Sequence, residues 1–318
     1  QKTAYEIIEE YLETLKNNGE IKLGLRPNLG SINTGISFPG QIQMRLPNRG
    51  QEWDFTLYPY YELPEVKLYY DTLHKWFKKG YIRQDYLSIE NKGEDEGKKD
   101  GYTVWFHESF RNTAEKESMK YGFDIAVIPL EPDYYISRLD SSTGLVIPRT
   151  SVDPERAIQV MELMHTKKGV DLLNMLIWGI EGVHYEVVGE NYIKTLHYEG
   201  AVAPADAPYG LANWAVGNTF IAALNQANPP DYNQYIESIH ENAIAAPFLG
   251  FKPDVSPVMT EIAQVEAVRK EFSDFWAYDD YEKLWEDMIN KYKAAGIEKI
   301  RDELQNQLNN YMEKHGIK

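Results

Sequence analysis

The chain has 318 residues, with 33 Lys and Arg against 49 Asp and Glu. The resulting net charge of −16 argues against binding a bare phosphate backbone, where affinity rests on clustered cations. It holds no cysteine, which excludes a disulfide framework, a Cys nucleophile, a thiolate zinc site and an iron–sulfur cluster, and no apolar run approaches the roughly 18 residues that span a bilayer.

Helical and strand patterns alternate along the chain, which predicts an α/β or mixed architecture. Thr3-Ala4-Tyr5-Glu6 reads as a capping box, and Ile7, Ile8, Tyr11, Leu12 and Leu15 then form one apolar helical face. Residues 21–25, 41–46 and 53–58 alternate as strands do, between Gly, Pro and Asn turns. A helix is expected over about 64–79, with Val66, Tyr69, Leu73, Trp76 and Phe77 inward and Gly80 as its stop. The run 91–101 is a charged loop without the alternating ligands of a calcium-binding loop. Three short apolar strands are expected at 102–106, 123–129 and 144–148.

Asp153-Pro154 opens a helix with a cap residue followed by Pro at the first turn. A second helix runs from about Val170 to Trp178 and is closed by Gly179. Residues 183–188 and 192–198 read as a hairpin around Gly189-Glu190-Asn191. The remainder is helical, with apolar spacings of three and four near 212–227, 231–243, 257–276, 280–295 and 297–314.

Catalytic motifs are absent. A zincin needs two His four apart on a helix, but His107-Glu108 is followed by Arg111 and His240-Glu241 by Ile244. Neither a G-x-S-x-G elbow nor a phosphate-binding glycine loop is present, and no metal or cofactor is expected. Glycoside hydrolysis needs two opposed carboxylates; Glu108 and Glu181 are the first suspects, but among 49 acids some pair is always available.

The aromatics carry more information. They make up 13% of the chain, with 23 Tyr and 7 Trp, and rings suit sugar or peptide contact as well as cores. Trp76, Trp276 and Trp285 fall at helical spacing and read as core. Trp105 and Trp178 stand at a strand end and a helix end, where ligands of open α/β sheets bind, and both readings stay open for them. As a binding wall, Trp105 and Trp178 would offer stacking faces, with His107, Arg111 and Asp140, next to Ser141, holding hydroxyls. Tyr134 and Trp214 are secondary candidates, since Trp214 starts an apolar helix and also fits a core.

Several stretches resemble one family. These are Ser151-Val152-Asp153-Pro154-Glu155-Arg156-Ala157, Trp178-Gly179-Ile180-Glu181-Gly182-Val183-His184-Tyr185 and Trp214-Ala215-Val216-Gly217-Asn218. To them are added Leu249-Gly250-Phe251-Lys252-Pro253-Asp254, Lys293-Ala294-Ala295-Gly296-Ile297 and Glu303-Leu304-Gln305-Asn306-Gln307-Leu308. In this order they resemble the extracellular solute-binding lipoproteins of bacterial ABC importers, in the Gram-positive branch associated with carbohydrate uptake. The resemblance implies a type 2 periplasmic-binding fold, with a mixed sheet flanked by helices and a helical C-terminal region. It also implies an oligosaccharide ligand held in a cleft between lobes, a membrane permease as partner and no enzymatic activity. Location at the cell surface would depend on a lipid anchor that this chain does not contain.

Two departures from the family pattern are the absent lipobox Cys and the absent N-terminal lobe, so the chain reads as mainly a C-terminal lobe over 1–250 with a helical extension over 251–318. A one-walled cleft is then expected to bind sugar weakly and to leave an apolar patch exposed. A peptide- or oligoanion-binding protein of the same fold, or a glycoside-processing enzyme, are the alternatives.

Overall fold

The computed structural model describes residues 3–21, 23–27, 35–47, 51–89, 101, 104–105, 114–128, 136–137, 145–196 and 213–317. Two compact units divide the chain: 1–108 together with 245–318, and 109–244. The sequence reading places a line at 250, with the helical extension over 251–318 packing on the lobe before it. In the structure those helices bury their apolar faces on elements from the first hundred residues.

In the first unit the helix Ala4–Asn17 opens with the expected capping box. The Thr3 hydroxyl accepts from the Glu6 N–H, and the Glu6 carboxylate accepts from the Thr3 N–H at 2.7 Å. The helix Pro64–Lys78 buries Val66, Tyr69, Leu73, Trp76 and Phe77, the face that its spacing predicted. Strands Ile36–Phe38, Ile42–Met44 and Leu57–Pro59 form an antiparallel sheet in which Ile36 pairs with Met44 and Met44 with Leu57.

Across this sheet lies the helix Ile297–His315, whose Ile297, Ile300, Leu304 and Leu308 recur at the three-and-four spacing and are fully buried. Gln305 ties helix to sheet, accepting from the Leu57 N–H at 2.7 Å and donating to the Phe55 carbonyl at 3.1 Å. Helices Met259–Glu271 and Tyr281–Ala294 complete this packing. Trp76, Trp276 and Trp285 are buried, as their spacing predicted.

A second, two-stranded sheet in this unit pairs Leu25–Arg26 with Val104–Trp105 in parallel. The first of these strands is reached through Gly24, which has φ of +72°. A Cβ there would lie 2.3 Å from the Tyr81 carbonyl oxygen, so only glycine lets the chain pass this close to buried Tyr81.

The second unit contains helices Ala114–Tyr121, Pro154–Leu163, Val170–Trp178, Asn213–Val216 and Tyr232–Glu241. Its hairpin pairs Tyr185–Gly189 with Tyr192–Thr195, and Asn191 takes the left-handed conformation at the turn. Leu224–Asn225 adds in parallel beside Tyr192 and Ile193, so this small sheet is mixed.

Three local expectations differ from the structure. The expected helix over 212–227 stops at Val216, because the Asn218 N–H docks on the Met164 carbonyl at 3.0 Å and the chain continues into the strand at Leu224. Residues 123–128 form no ladder: the Ile125 N–H donates to Ser118 Oγ at 2.8 Å and so turns back on its own helix. Residues 145–148 also stay outside any strand, with the Pro148 carbonyl closing a turn to the Ser151 N–H. Apolar composition alone did not distinguish these segments from strands.

Candidate functional site

The parallel pair in the first unit gives a site its geometry. Ligands of parallel α/β sheets bind outside the carboxyl ends of the strands. Arg26 and Trp105 are the last residues of their strands and stand opposite each other in register. Leu25 and Val104 form the preceding pair, and Leu25 is fully buried. Because successive residues of a strand face opposite sides, Arg26 belongs to the face opposite Leu25. Arg26 is half-buried there.

Backbone bonds hold this edge firmly. The Leu25 N–H donates to the Tyr81 carbonyl at 2.7 Å, the Val104 N–H donates to the Gly24 carbonyl at 3.3 Å, and Gly24 bridges Ile82. Pro27 follows at once; it lacks an N–H to extend the ladder, and it confines Arg26 to extended backbone.

Of the residues singled out in the sequence, His107, Arg111, Tyr134, Asp140 and Ser141 lie outside the described residues, as does Glu108. Trp105 and Trp214 are described in backbone only, Trp105 at the end of its strand and Trp214 in the short helix Asn213–Val216. Trp178 is described in full. It ends the helix Val170–Trp178, is half-buried and donates its indole N–H to the Ala223 carbonyl at 3.0 Å. It also packs against a cluster of Met164, Leu173, Ile177 and Ala222, so its ring serves the core on at least one face.

The turn that follows satisfies much of its own backbone. The Ile180 N–H donates to His184 Nδ1 at 2.9 Å, the His184 N–H to the Ile180 carbonyl at 2.8 Å, and the Gly182 N–H to the Tyr185 carbonyl at 2.7 Å. Glu181 is exposed at this turn. Burial foremost, then the negative charges of Glu181 and Asp171, raises the Tyr185 phenol above its ordinary value, so it stays a protonated donor.

Two further surfaces carry apolar side chains. Phe38, Trp53 and Phe55 are half-buried and gather around Phe248, which is buried, while half-buried Phe251 meets Phe38; the Trp53 and Phe248 rings meet edge to face at 5.7 Å. These rings spend their faces largely on one another. In the second unit a groove of about 360 Å³ runs between Leu145–Pro148 and the helix residues Ala157, Val160, Met161 and Met164. Aliphatic walls give hydroxyl-rich ligands little to bond with, so it is a poor sugar site. Among the described residues, no three His, Asp or Glu side chains are grouped as a metal site requires. Arg26 was not singled out in the sequence; its signal was an Arg-Pro step ending an alternating stretch.

The fold is that of the solute-binding proteins of bacterial ABC importers. Superposed on the crystal structure of an N-glycan transport solute binding protein, NgtS, from Streptococcus pneumoniae in complex with Man5GlcNAc, 98% of this chain matches 68% of that chain with a TM-score of 0.71 and 22% identity. An HMO-binding solute binding protein from Bifidobacterium longum infantis matches with a TM-score of 0.56 and 13% identity, over 98% of this chain and 70% of that one. In sequence, the chain is 26% identical over 266 residues to a carbohydrate ABC transporter substrate-binding protein of Streptococcus pneumoniae, covering 79% of this chain and 51% of that protein. The chain thus spans about half the length of that relative. Residues 247–313 match a domain of unknown function, DUF3502.

Proposed function

We propose that the chain is the ligand-binding part of an extracellular solute-binding subunit, taking up an oligosaccharide and delivering it to the permease of an ABC importer. The observation that carries this reading is the match of nearly the whole chain to a solute-binding protein crystallised with Man5GlcNAc. The carbohydrate-transport relative points the same way. A net charge of −16 disfavours an anionic ligand and suits a neutral one.

Within the first unit, Trp105 at the strand end is the proposed stacking ring, with His107 following it. Arg111, Tyr134, Asp140, Ser141, Trp178 and Trp214 are the proposed glycan contacts of the second unit. Nothing in this role calls for catalysis: binding energy is used to favour one conformation over another. Attachment to the outer face of the membrane by a lipid anchor belongs to the same proposal.

A thermal-shift and titration screen of Man1GlcNAc, Man5GlcNAc and other neutral oligosaccharides against peptides of similar mass tests it. A rise in Tm with one or more oligosaccharides and none with peptides is the expected result. Stabilisation by peptides or polyanions alone overturns it.

A further inference from the structure

We infer that Asn18 is a site of spontaneous covalent modification, in which the Gly19 backbone nitrogen displaces the Asn18 side-chain amide, and that the closed end of the helix Ala4–Asn17 governs its rate. This goes beyond the glycan reading and does not rest on it.

The chemistry is the first argument. Asn18-Gly19 is the one Asn-Gly step in the sequence. A side chain on the following residue obstructs the approach of its backbone nitrogen to the Asn carbonyl, and glycine has none. The Gly19 nitrogen gives up its proton to base and bonds to Asn18 Cγ, a five-membered ring closes, and the side-chain nitrogen leaves as ammonia. Water then opens the ring at either carbonyl. The product is aspartate, or isoaspartate with the backbone running through the former side chain. One water is consumed and one ammonia released, so no further reactant is needed.

Access is the second. Asn18 and Gly19 are both exposed. Gly19 takes the left-handed conformation, and beyond its chain neighbours no atom lies within 4 Å of where its Cβ would stand. Water and base therefore reach both reacting groups.

The helix end is the third. Asn18 keeps helical backbone, with φ of −82° and ψ of −7°. Three backbone bonds close the turn: the Asn18 N–H donates to the Thr14 carbonyl at 3.1 Å, the Gly19 N–H to Lys16 at 3.0 Å and the Glu20 N–H to Leu15 at 2.8 Å. The second of these occupies the attacking nitrogen. The Asn18 amide meanwhile donates to the Glu20 carboxylate at 3.3 Å. Both reacting groups are engaged, so reaction waits on the opening of this turn. Helix ends open at little cost, and Leu12, one turn further in, is fully buried and anchors the rest.

The product differs physically from Asn18. A carboxylate there meets the negative end of the helix dipole, and Glu20 loses its donor and gains a like charge. Isoaspartate also lengthens the backbone inside the three-bond closure. The same helix bears on Tyr81, whose phenol donates to Glu13.

The test incubates the intact chain and a synthetic peptide of residues 12–24 in mildly alkaline buffer and follows residue 18 by peptide mass spectrometry. Digestion in oxygen-18 water marks any conversion made during handling. The expected result is a mass rise of about 1 Da at Asn18, with isoaspartate among the products, at least about fivefold slower in the chain than in the peptide. Glu20→Pro removes the N–H that bonds Leu15 and should move the chain's rate towards that of the peptide. Asn18→Gln, which would have to close a larger ring, should stay unmodified. An intact chain that keeps Asn18 unchanged once the peptide has converted overturns the site. Conversion as fast in the chain as in the peptide, or a rate that a folded Glu20→Pro leaves unchanged, overturns control by the helix end. If Glu20→Pro fails to fold, the comparison of chain with peptide decides.

Discussion

Gly24 and Glu9 show how single residues hold the scaffold behind the candidate site. At Gly24 any side chain meets two penalties at once, the left-handed backbone and the Tyr81 carbonyl. The conformation alone costs an L-residue about 1–2 kcal/mol, so Gly24→Ala should destabilise by about 2 kcal/mol or more in urea unfolding. A variant with wild-type stability would show that the Tyr81 contact is loose. Glu9 sits between Lys75 and Lys79, at 2.5 and 2.7 Å, with the Trp76 indole N–H at 3.3 Å. Burial pushes its carboxyl up, but hydrogen bonds from Lys75, Lys79 and Trp76 and the Lys75 charge outweigh that and hold it at about 2. A folded value below the ordinary one stabilises above the unfolded pKa and is lost as pH falls towards the folded one. Glu9→Gln should therefore be less stable than wild type at pH 7, and the gap in Tm should close between about pH 5 and 2. A gap that is constant with pH would mean that Glu9 acts by packing alone.

Helices of this chain differ sharply in what they bury. Ile297–His315 carries four fully buried residues, whereas Pro154–Leu163 has none. In the latter the cap is sound, with the Asp153 carboxylate accepting from the Arg156 N–H at 2.8 Å, yet Ile158 is 60% exposed. Nearby Val152 is fully exposed and Val146 is 85% exposed. Substituting Ile158 or Val152 by Glu should change stability by no more than about 0.5 kcal/mol and should lower the binding of a hydrophobic dye. Leu173→Ala, in the fully buried cluster beside Trp178, should instead cost about 2–5 kcal/mol. Equal losses in chemical denaturation for Ile158→Glu and Leu173→Ala would refute this contrast.

Over the whole molecule, stability should follow burial. Local opening is cheapest where few apolar groups are buried and dearest in the core. Amides of Tyr281–Ala294 and Ile297–His315, whose inner faces are buried, should exchange with deuterium slowest. Amides of Pro154–Leu163 should exchange much faster. Comparable protection in both, read by mass spectrometry at one pH, would contradict the ranking.

Local rules settled what lies within one or two turns of chain. The Thr3 capping box, the inward face of Pro64–Lys78, the Asp153-Pro154 start, the hairpin around Asn191 and the closing helices were legible because caps, periodicity and turn chemistry act over a few residues. Absent cysteine and net negative charge bounded the chemistry in the same direct way. Tertiary structure decided the rest. Residues 123–128 carry a strand's composition but give a backbone bond to Ser118, and the chain after Val216 leaves its helix to dock on Met164. Arg26 meets Trp105 across 79 residues of sequence only because Gly24 fits against Tyr81. Hydrophobic burial has no direction along the chain, so a pattern says which residues leave water but not which partner receives them. That partner fixes the sheet, and with it which side chains stand together at its edge.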